Sequence, residues 1–289
     1  MRTGFSIDPR QALAEADELR LVRLAAELGY RSAWTPSGPD EAAFDRCVRW
    51  YRASGLDTGI SVVPASARHA AFYAEHARRA WEETEGRFVL GVGSGGMHHA
   101  AEGMRRYMDE LRGLLPDGPP IYLAALGRHM LRVAGELADG AALNWCSAER
   151  VTWSRAAVER AAGERRRPVP VIASYIRTCV DPDPSAAQAT LGTAALQYAL
   201  GPVAYRRHFE AMGFSEELRL LEAGEGAPSA AFLGAAGAAG RPGDVRAQFG
   251  RLAAGLDVAI VRVLAVRPGD AGSVQRTLEE CRPGPDGGD

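Results

Sequence analysis

The chain has no lysine: all 34 of its basic residues are arginine. With alanine and glycine abundant, this is the bias of GC-rich coding, so arginine clusters on helices carry no functional weight by themselves. Cysteine is scarce. Cys47, Cys146, Cys179 and Cys281 lie far apart with no C-x-x-C pair, which excludes a disulfide framework or a zinc site and leaves buried or surface thiols. Excess charge is missing too, because 34 basic residues stand against 36 acidic ones, a formal net charge of -2. No overall field would hold nucleic acid or a membrane surface, and a small neutral or anionic ligand fits better. The N-terminal MRTGFSIDPR lacks an apolar core segment, and no run approaches the roughly 20 apolar residues of a membrane span. A cytoplasmic protein is expected. His98 and His99 are adjacent without an H-x-x-x-H or carboxylate partner, so a solvated pair is expected and no metal. Arg165-Arg166-Arg167 lacks interleaved aromatics and reads as a solvated helix end before Pro168.

What is present is a regular alternation. Of 289 residues, 46% are hydrophobic, enough for one large core, and short β-like runs alternate with amphipathic helices as in a parallel sheet. Strands are predicted over 3–7, 32–36, 58–63, 87–93, 120–126, 140–145, 169–180 and 257–266. Helices between them run over about 10–28, to 53, 68–83, 101–115, 128–138, 148–162 and 243–254. Gly29 reads as a helix C-cap, and Asp183 before Pro184 as an N-cap with proline at the first helical position. A helical insertion fills about 185–222, and the Gly/Ala-rich segment 224–240 is expected to be a flexible loop over the barrel mouth. The tail from Arg282 is expected to be disordered. The expected fold is α/β, a TIM-type (β/α)8 barrel in a single domain over 1–289, with a helical insertion before the last strand; a doubly wound sheet is the alternative.

In a parallel barrel the ligand sits at the carboxyl ends of the strands. There, Gly91-Val92-Gly93-Ser94-Gly95-Gly96 lets backbone N–H groups approach a phosphate, and the following helix adds its positive end. Gly91, Gly93 and Gly96 also satisfy G-x-G-x-x-G. A dinucleotide fingerprint, however, belongs in the first unit with an acid ending the next strand, and here it follows the fourth strand. Tight packing of a turn is the alternative role. Ala124-Ala125-Leu126-Gly127-Arg128 forms a second junction of small residues, with Arg128 able to add charge. Asn144 and Trp145 end the sixth strand, where they could line the pocket or pack on the seventh.

These segments together resemble a known family. LGYRSAWTPSGPDEAAF, SVVPASARHAAFYAEHA, GRFVLGVGSGG, PIYLAALGRHMLRVAGELADGAALNW, RTCVDPDPSAA and GRPGDVRAQFGRLAAGLDVAIVRV resemble, in order and spacing, the coenzyme F420-dependent branch of the luciferase-like monooxygenases, including methylenetetrahydromethanopterin reductase-like proteins. The resemblance implies a deazaflavin, coenzyme F420, across the barrel mouth, with FMN as the alternative cofactor. It implies a phosphate on Gly93, Ser94, Gly95 and Gly96 and around Ala125, Leu126 and Gly127. It also implies a third-strand bulge with a non-proline cis peptide behind the ring, matched by Ser61-Val62; Thr35 and Asn144 complete the expected cofactor contacts. The expected activity is hydride transfer between the deazaflavin and a small organic substrate, reducing C=N or C=C; an FMN-dependent monooxygenase and a non-catalytic flavin- or metabolite-binding barrel are the alternatives. Hydride transfer to such an acceptor also needs a proton, for which Asp8, Ser37, Tyr175 and Arg177 are the candidates, each with a structural role as its alternative. The expected partners are the small-molecule substrate and a second copy of the chain, as a homodimer. Two departures stand out. Many relatives carry Asp-His after the second strand where this chain has Trp34-Thr35-Pro36-Ser37-Gly38, so a general acid built on that histidine is absent. The segment after Gly96 is also short.

Overall fold

The computed structural model describes residues 1–284; the expectation for the tail extends to residues 285–289, which lie outside the described residues. Eight parallel strands close on themselves in the order β1 (Arg2–Ser6), β2 (Ser32–Thr35), β3 (Asp57–Pro64), β4 (Phe88–Gly93), β5 (Ile121–Ala124), β6 (Gly140–Asn144), β7 (Val171–Val180) and β9 (Val258–Val263), the last pairing back to β1 with Arg2 opposite Val258. Parallel strands need long crossovers. These are supplied by α1 (Glu15–Glu27), α2 (Ala42–Ser54), α3 (Ala70–Glu83), α4 (Ala100–Leu114), α5 (Arg128–Leu137) and α6 (Ala148–Glu164). The TIM-type barrel expected from the alternation is the fold observed.

Period-two alternation sorts each strand's side chains between two layers. Inside the barrel, Trp34, Tyr122, Ala142, Ala173, Tyr175, Val258 and Ile260 pack together, with the Trp34 and Tyr122 ring centroids 5.9 Å apart. Glycines opposite make room for these rings: a Cβ on Gly59 would sit 2.5 Å from the Trp34 ring, and one on Gly140 2.5 Å from that of Tyr122. Outside, helix faces at i, i+3 and i+4 spacing cover the sheet, among them Leu21, Val22 and Ala25 of α1 and Phe44, Cys47 and Val48 of α2. The first helix is shorter than predicted. A 3-10 turn at Pro9–Gln11, capped by the Asp8 side chain, ends at Ala12 in the left-handed region (φ 52), and only then does α1 begin. Gly29 (φ 91) follows α1 with its N–H on Ala26 and that of Tyr30 on Ala25, closing the helix as expected.

After β7 the chain leaves the barrel for the insertion: α7 (Pro184–Ala199), α8 (Val203–Phe209), a π turn at Glu210–Phe214, α9 (Ser215–Glu222) and α10 (Ala230–Ala236). Asp183 caps α7 by accepting from the Ser185 N–H at 2.9 Å, with Pro184 at the first position. The flexible loop expected over 224–240 is corrected by the structure. Its second half is α10 followed by a buried strand, β8 (Gly237–Gly240), paired in parallel with Arg177–Val180. Small residues read as loop composition, but here they let β8 lie against β7, since a Cβ on Gly237 would meet the Arg177 carbonyl at 2.4 Å. β9 holds one edge of β7 over Ala173–Thr178 and β6 the other over Val171–Tyr175, so β8 takes the stretch of edge that β6 leaves free. The chain returns through α11 (Asp244–Ala253) to β9, and α12 (Ala271–Glu280), which no sequence expectation covered, packs on α1.

No helix among the described residues is long and apolar enough to cross a membrane. All four cysteines are buried free thiols, and burial pushes each up to about 12. Native protein titrated with an aromatic disulfide reagent near neutral pH is therefore expected to show no fast-reacting thiol, and all four only after denaturation. Rapid modification of the native protein would contradict the packing around Cys47, Cys146, Cys179 and Cys281.

Candidate active site

The strands deliver their carboxyl ends to one mouth, where a cavity of about 1030 Å³ opens. Its wall has two chemically different halves. The first comes from β3, β4 and β5. The register between β3 and β4 steps from Ile60–Leu90 to Val63–Val92, so Ser61 and Val62 bulge opposite Gly91, and the Ser61–Val62 peptide is cis. Behind this bulge only glycine fits: a Cβ on Gly91 would lie 2.2 Å from the Ile60 carbonyl oxygen, and one on Gly93 2.6 Å from Val62. Packing thus requires the front of the G-x-G run, and the ligand-facing part is Ser94-Gly95. Both residues line the cavity, and their N–H groups have no acceptor among the described residues. Beside them α5 starts at Gly127 with no side-chain cap, opening its first N–H groups on the same space next to Ala125 and Leu126. Uncapped N–H groups with a helix dipole behind them favour an anion such as a phosphate.

The second half comes from β6, β7, β9 and the insertion. Arg262 is buried, donates to Ser6 Oγ at 2.8 Å and pairs with Asp8. Asp8 also accepts from the Arg10 backbone N–H at 2.8 Å and from its Nε at 3.0 Å. Burial alone would raise the Asp8 carboxyl, but the Arg10 hydrogen bonds and the Arg262 charge outweigh it and hold it below the usual carboxylate range. Arg177 donates to Asn144 Oδ1, and Asn144 Nδ2 donates to the Tyr205 hydroxyl at 2.7 Å. Trp145, in the left-handed region (φ 54), turns its ring under Arg177 with the guanidinium carbon 4.0 Å from the ring centre. Tyr198 and Tyr205, edge to face at 4.8 Å, bring α7 and α8 over this side. Among the described residues the buried Tyr175 hydroxyl has no hydrogen-bond partner, and burial raises its pKa, offset in part by Arg262 and the nearby Ser6 and Ser61 hydroxyls. His208 Nε2 lies 2.9 Å from the Trp145 carbonyl oxygen. Desolvation, with the Arg150 charge adding to it, pulls His208 down to about 4 and leaves the imidazole neutral near pH 7.

The cavity brings together Ser37, Ser61, Val62, Gly93, Ser94, Gly95, Ala125, Leu126, Gly127, Asn144, Tyr175 and Arg177. Three of the expected residues stand off its wall. Thr35 shares the outward face of β2 with Ala33, because Ser32 and Trp34 point inward, and its hydroxyl bonds to the Pro36 carbonyl beneath Arg46. Gly96 turns its N–H back to Ser66 Oγ at 3.1 Å. Asp8 is saturated by two arginines and ionised, so it has no proton to give. Arg262, Tyr198, Tyr205 and His208 were not singled out from the sequence. A lone arginine inside the apolar run VAIVRV was a usable signal for the first; nothing local marks where the insertion's tyrosines dock. Although the chain is nearly neutral, the wall carries Arg10, Arg128, Arg150, Arg177, Arg207 and Arg262 against one carboxylate, Glu102.

The luciferase-like monooxygenase family model matches residues 2–117 and 101–259, and the chain belongs to that family. Comparison with curated proteins gives no significant match. Among solved structures, an F420-dependent secondary alcohol dehydrogenase in complex with an F420–acetone adduct superposes with a TM-score of 0.76 at 14% identity, over 98% of this chain and 99% of that one. The coenzyme F420-dependent tetrahydromethanopterin reductase of Methanopyrus kandleri gives 0.69 at 16% identity, over 96% and 97%. The oxygenating constituent of 3,6-diketocamphane monooxygenase from Pseudomonas putida, a type II Baeyer–Villiger enzyme in complex with FMN, gives 0.62 at 14%, over 98% and 96%. At such identities the likeness shows the shared barrel.

Proposed function

We propose that the chain is a coenzyme F420-dependent oxidoreductase that exchanges hydride with a small organic substrate, reducing C=N or C=C. The observation that carries this reading is the pairing, in one cavity, of the free Ser94 and Gly95 N–H groups with the uncapped start of α5. That cradle suits the phosphate of a flavin-type cofactor, and Gly127, where a Cβ would meet nothing within 4 Å, leaves it open. The resemblance of the sequence segments and the two F420-dependent neighbours favour the deazaflavin. When bound, F420 supplies or accepts the hydride, while the protein supplies orientation and electrostatics. Ser61 and Val62 present a backbone shelf on one side of the cavity, and Tyr198 and Tyr205 narrow it from the other, restricting water. Burial raises the Tyr175 pKa and keeps its hydroxyl protonated throughout the neutral range, but that oxygen is sealed off by the surrounding protein, so Tyr175 lines the wall through its other atoms and is not assigned the proton. On this reading the partners are the substrate and a second copy of the chain, the latter checked by sedimentation equilibrium.

Equilibrium titration of the purified protein with F420 and with FMN, followed by absorbance and fluorescence, tests the assignment. F420 is expected to bind at least tenfold more tightly, a difference of about 1.4 kcal/mol. Preference for FMN would make the oxygenase reading the better one, and saturation by neither would favour a barrel without a flavin-type cofactor.

A further inference from the structure

Three arginines among the described residues are buried: Arg46, Arg177 and Arg262. Arg46 is neutralised by Glu18 and Arg262 by Asp8, whereas no acid among the described residues comes within ion-pair distance of Arg177. A buried charge without a counter-charge is costly, so a protein that keeps one has left room for an ion it does not itself supply. The neighbours of Arg177 hold it without neutralising it. Asn144 Oδ1 accepts from Nη1, and the Tyr205 hydroxyl accepts from the Asn144 amide nitrogen at 2.7 Å, which fixes the amide with its oxygen towards the guanidinium. Trp145 lies under the guanidinium at 4.0 Å, and the Tyr198 and Tyr175 rings lie 5.6 and 5.7 Å away. Burial and the like charge of Arg262 pull Arg177 down to about 10, the direction that an anion at the site would reverse.

The free part of the guanidinium is specific. Neither Nε nor Nη2 has an acceptor among the described residues, and neither is sealed off by the surrounding protein, so this edge faces the cavity that Arg177 lines. Two parallel N–H groups in one plane match the two oxygens of a carboxylate, and the Trp145 ring covers one face of the guanidinium. Position separates this edge from the phosphate cradle. In the closed strand order, β7 lies four strands from β3, across the barrel from Ser61–Val62, while the cradle belongs to β4 and β5. A cofactor ring resting on the β3 shelf would turn its open face towards Arg177. At about 1030 Å³ the cavity is at the upper end of what one drug-sized ligand fills, which leaves space on that face for a second molecule.

We propose that Arg177 is the recognition site for a carboxylate of the substrate, with Asn144 and Trp145 as positioning residues, so that the enzyme acts on small unsaturated carboxylic acids. The side of the cavity allotted to the substrate rests on the F420 reading; the carboxylate site itself does not.

The test is a direct binding measurement by calorimetry, with cinnamate and its neutral isostere cinnamamide as probes, on the protein with and without F420. Cinnamate is expected to bind the wild-type protein at least tenfold more tightly than cinnamamide, and Arg177→Gln to reduce that advantage below twofold while changing F420 affinity by less than twofold. Arg177→Lys, which keeps the charge and loses the planar edge, is expected to fall between. β-Styrenesulfonate, whose oxygens are not coplanar, is expected to bind more weakly than cinnamate. Equal binding of acid and amide to the wild-type protein would overturn the proposal without reference to any variant's folding. So would tighter binding of the sulfonate, or a tenfold loss of F420 affinity in Arg177→Gln with acid–amide discrimination intact, which would assign the arginine to the cofactor. Discrimination in a protein that binds no F420 would leave the carboxylate site standing and remove the cofactor reading instead.

Discussion

Asp8→Ala is expected to lose about 3–5 kcal/mol of unfolding free energy at neutral pH, because it strips the counter-charge from Arg262 in the interior. Arg262 is 4% exposed, and apart from Asp8 its only side-chain hydrogen-bond partner among the described residues is Ser6 Oγ at 2.8 Å. The lost hydrogen bonds to the Arg10 backbone and side chain add to the cost, since the 3-10 turn at Pro9–Gln11 is capped by the Asp8 carboxylate. Removing both charges as Asp8→Ala/Arg262→Met leaves no buried ion without a partner, Arg10 being exposed, and is expected to recover a large part of the loss. Urea unfolding of the three proteins checks this; a double variant no more stable than the single one would show that the pair is not what holds this corner. The pH dependence has a definite sign. The folded-state pKa of Asp8 lies below its ordinary value, so its contribution is present above the unfolded pKa near 3.9 and fades as pH falls towards the folded value. The gap between wild type and Asp8→Ala therefore narrows on acidification and stays constant between about pH 6 and 8.

Gly95→Val is expected to weaken F420 binding tenfold or more, about 1.4 kcal/mol at least, while the barrel still folds. Gly95 has φ +58, and its Cβ would lie 2.4 Å from Ser66 Oγ and 3.3 Å from Pro64. A β-branched side chain in the left-handed region costs about 1–2 kcal/mol, so the loop relaxes by turning the Ser94 and Gly95 N–H groups out of the cradle. Gly96→Ala is the control: a Cβ there meets nothing within 4 Å and the N–H is already committed to Ser66. It is expected to keep F420 affinity within twofold. If both substitutions leave affinity unchanged in folded protein, the phosphate does not sit on this loop.

The contrast between those glycines marks the boundary between what is local and what is not. Alternating apolar strands and amphipathic helices, Gly29 after α1 and Asp183-Pro184 before α7 are decided by backbone preferences over a few residues, and a parallel α/β sheet, closed into a barrel or doubly wound, follows from them. So does the placement of Gly93 to Gly95, Ala125 to Gly127 and Ser61–Val62 at one mouth, because every parallel strand ends on the same side. Side-chain direction within a strand was not legible. In SAWT every residue is buried, so composition does not say that Ser32 and Trp34 point in while Thr35 points out. The segment 224–240 misleads for the same reason: alanine and glycine are loop-like in isolation and become a strand only where β7 offers a free edge.

By itself the sequence determined the alternation of strands and covering helices and the glycine-rich turn at the end of β4, consequences of local periodicity and turn chemistry. Tertiary structure alone decided the electrostatics of the site. Arg177 and Arg262 are 85 residues apart in a nearly neutral chain, yet β7 and β9 align them in register, with Asp8 brought from the turn after β1 to neutralise one and not the other. Whether a charge is paired depends on distance in space and on exclusion of water, and neither exists until the barrel closes.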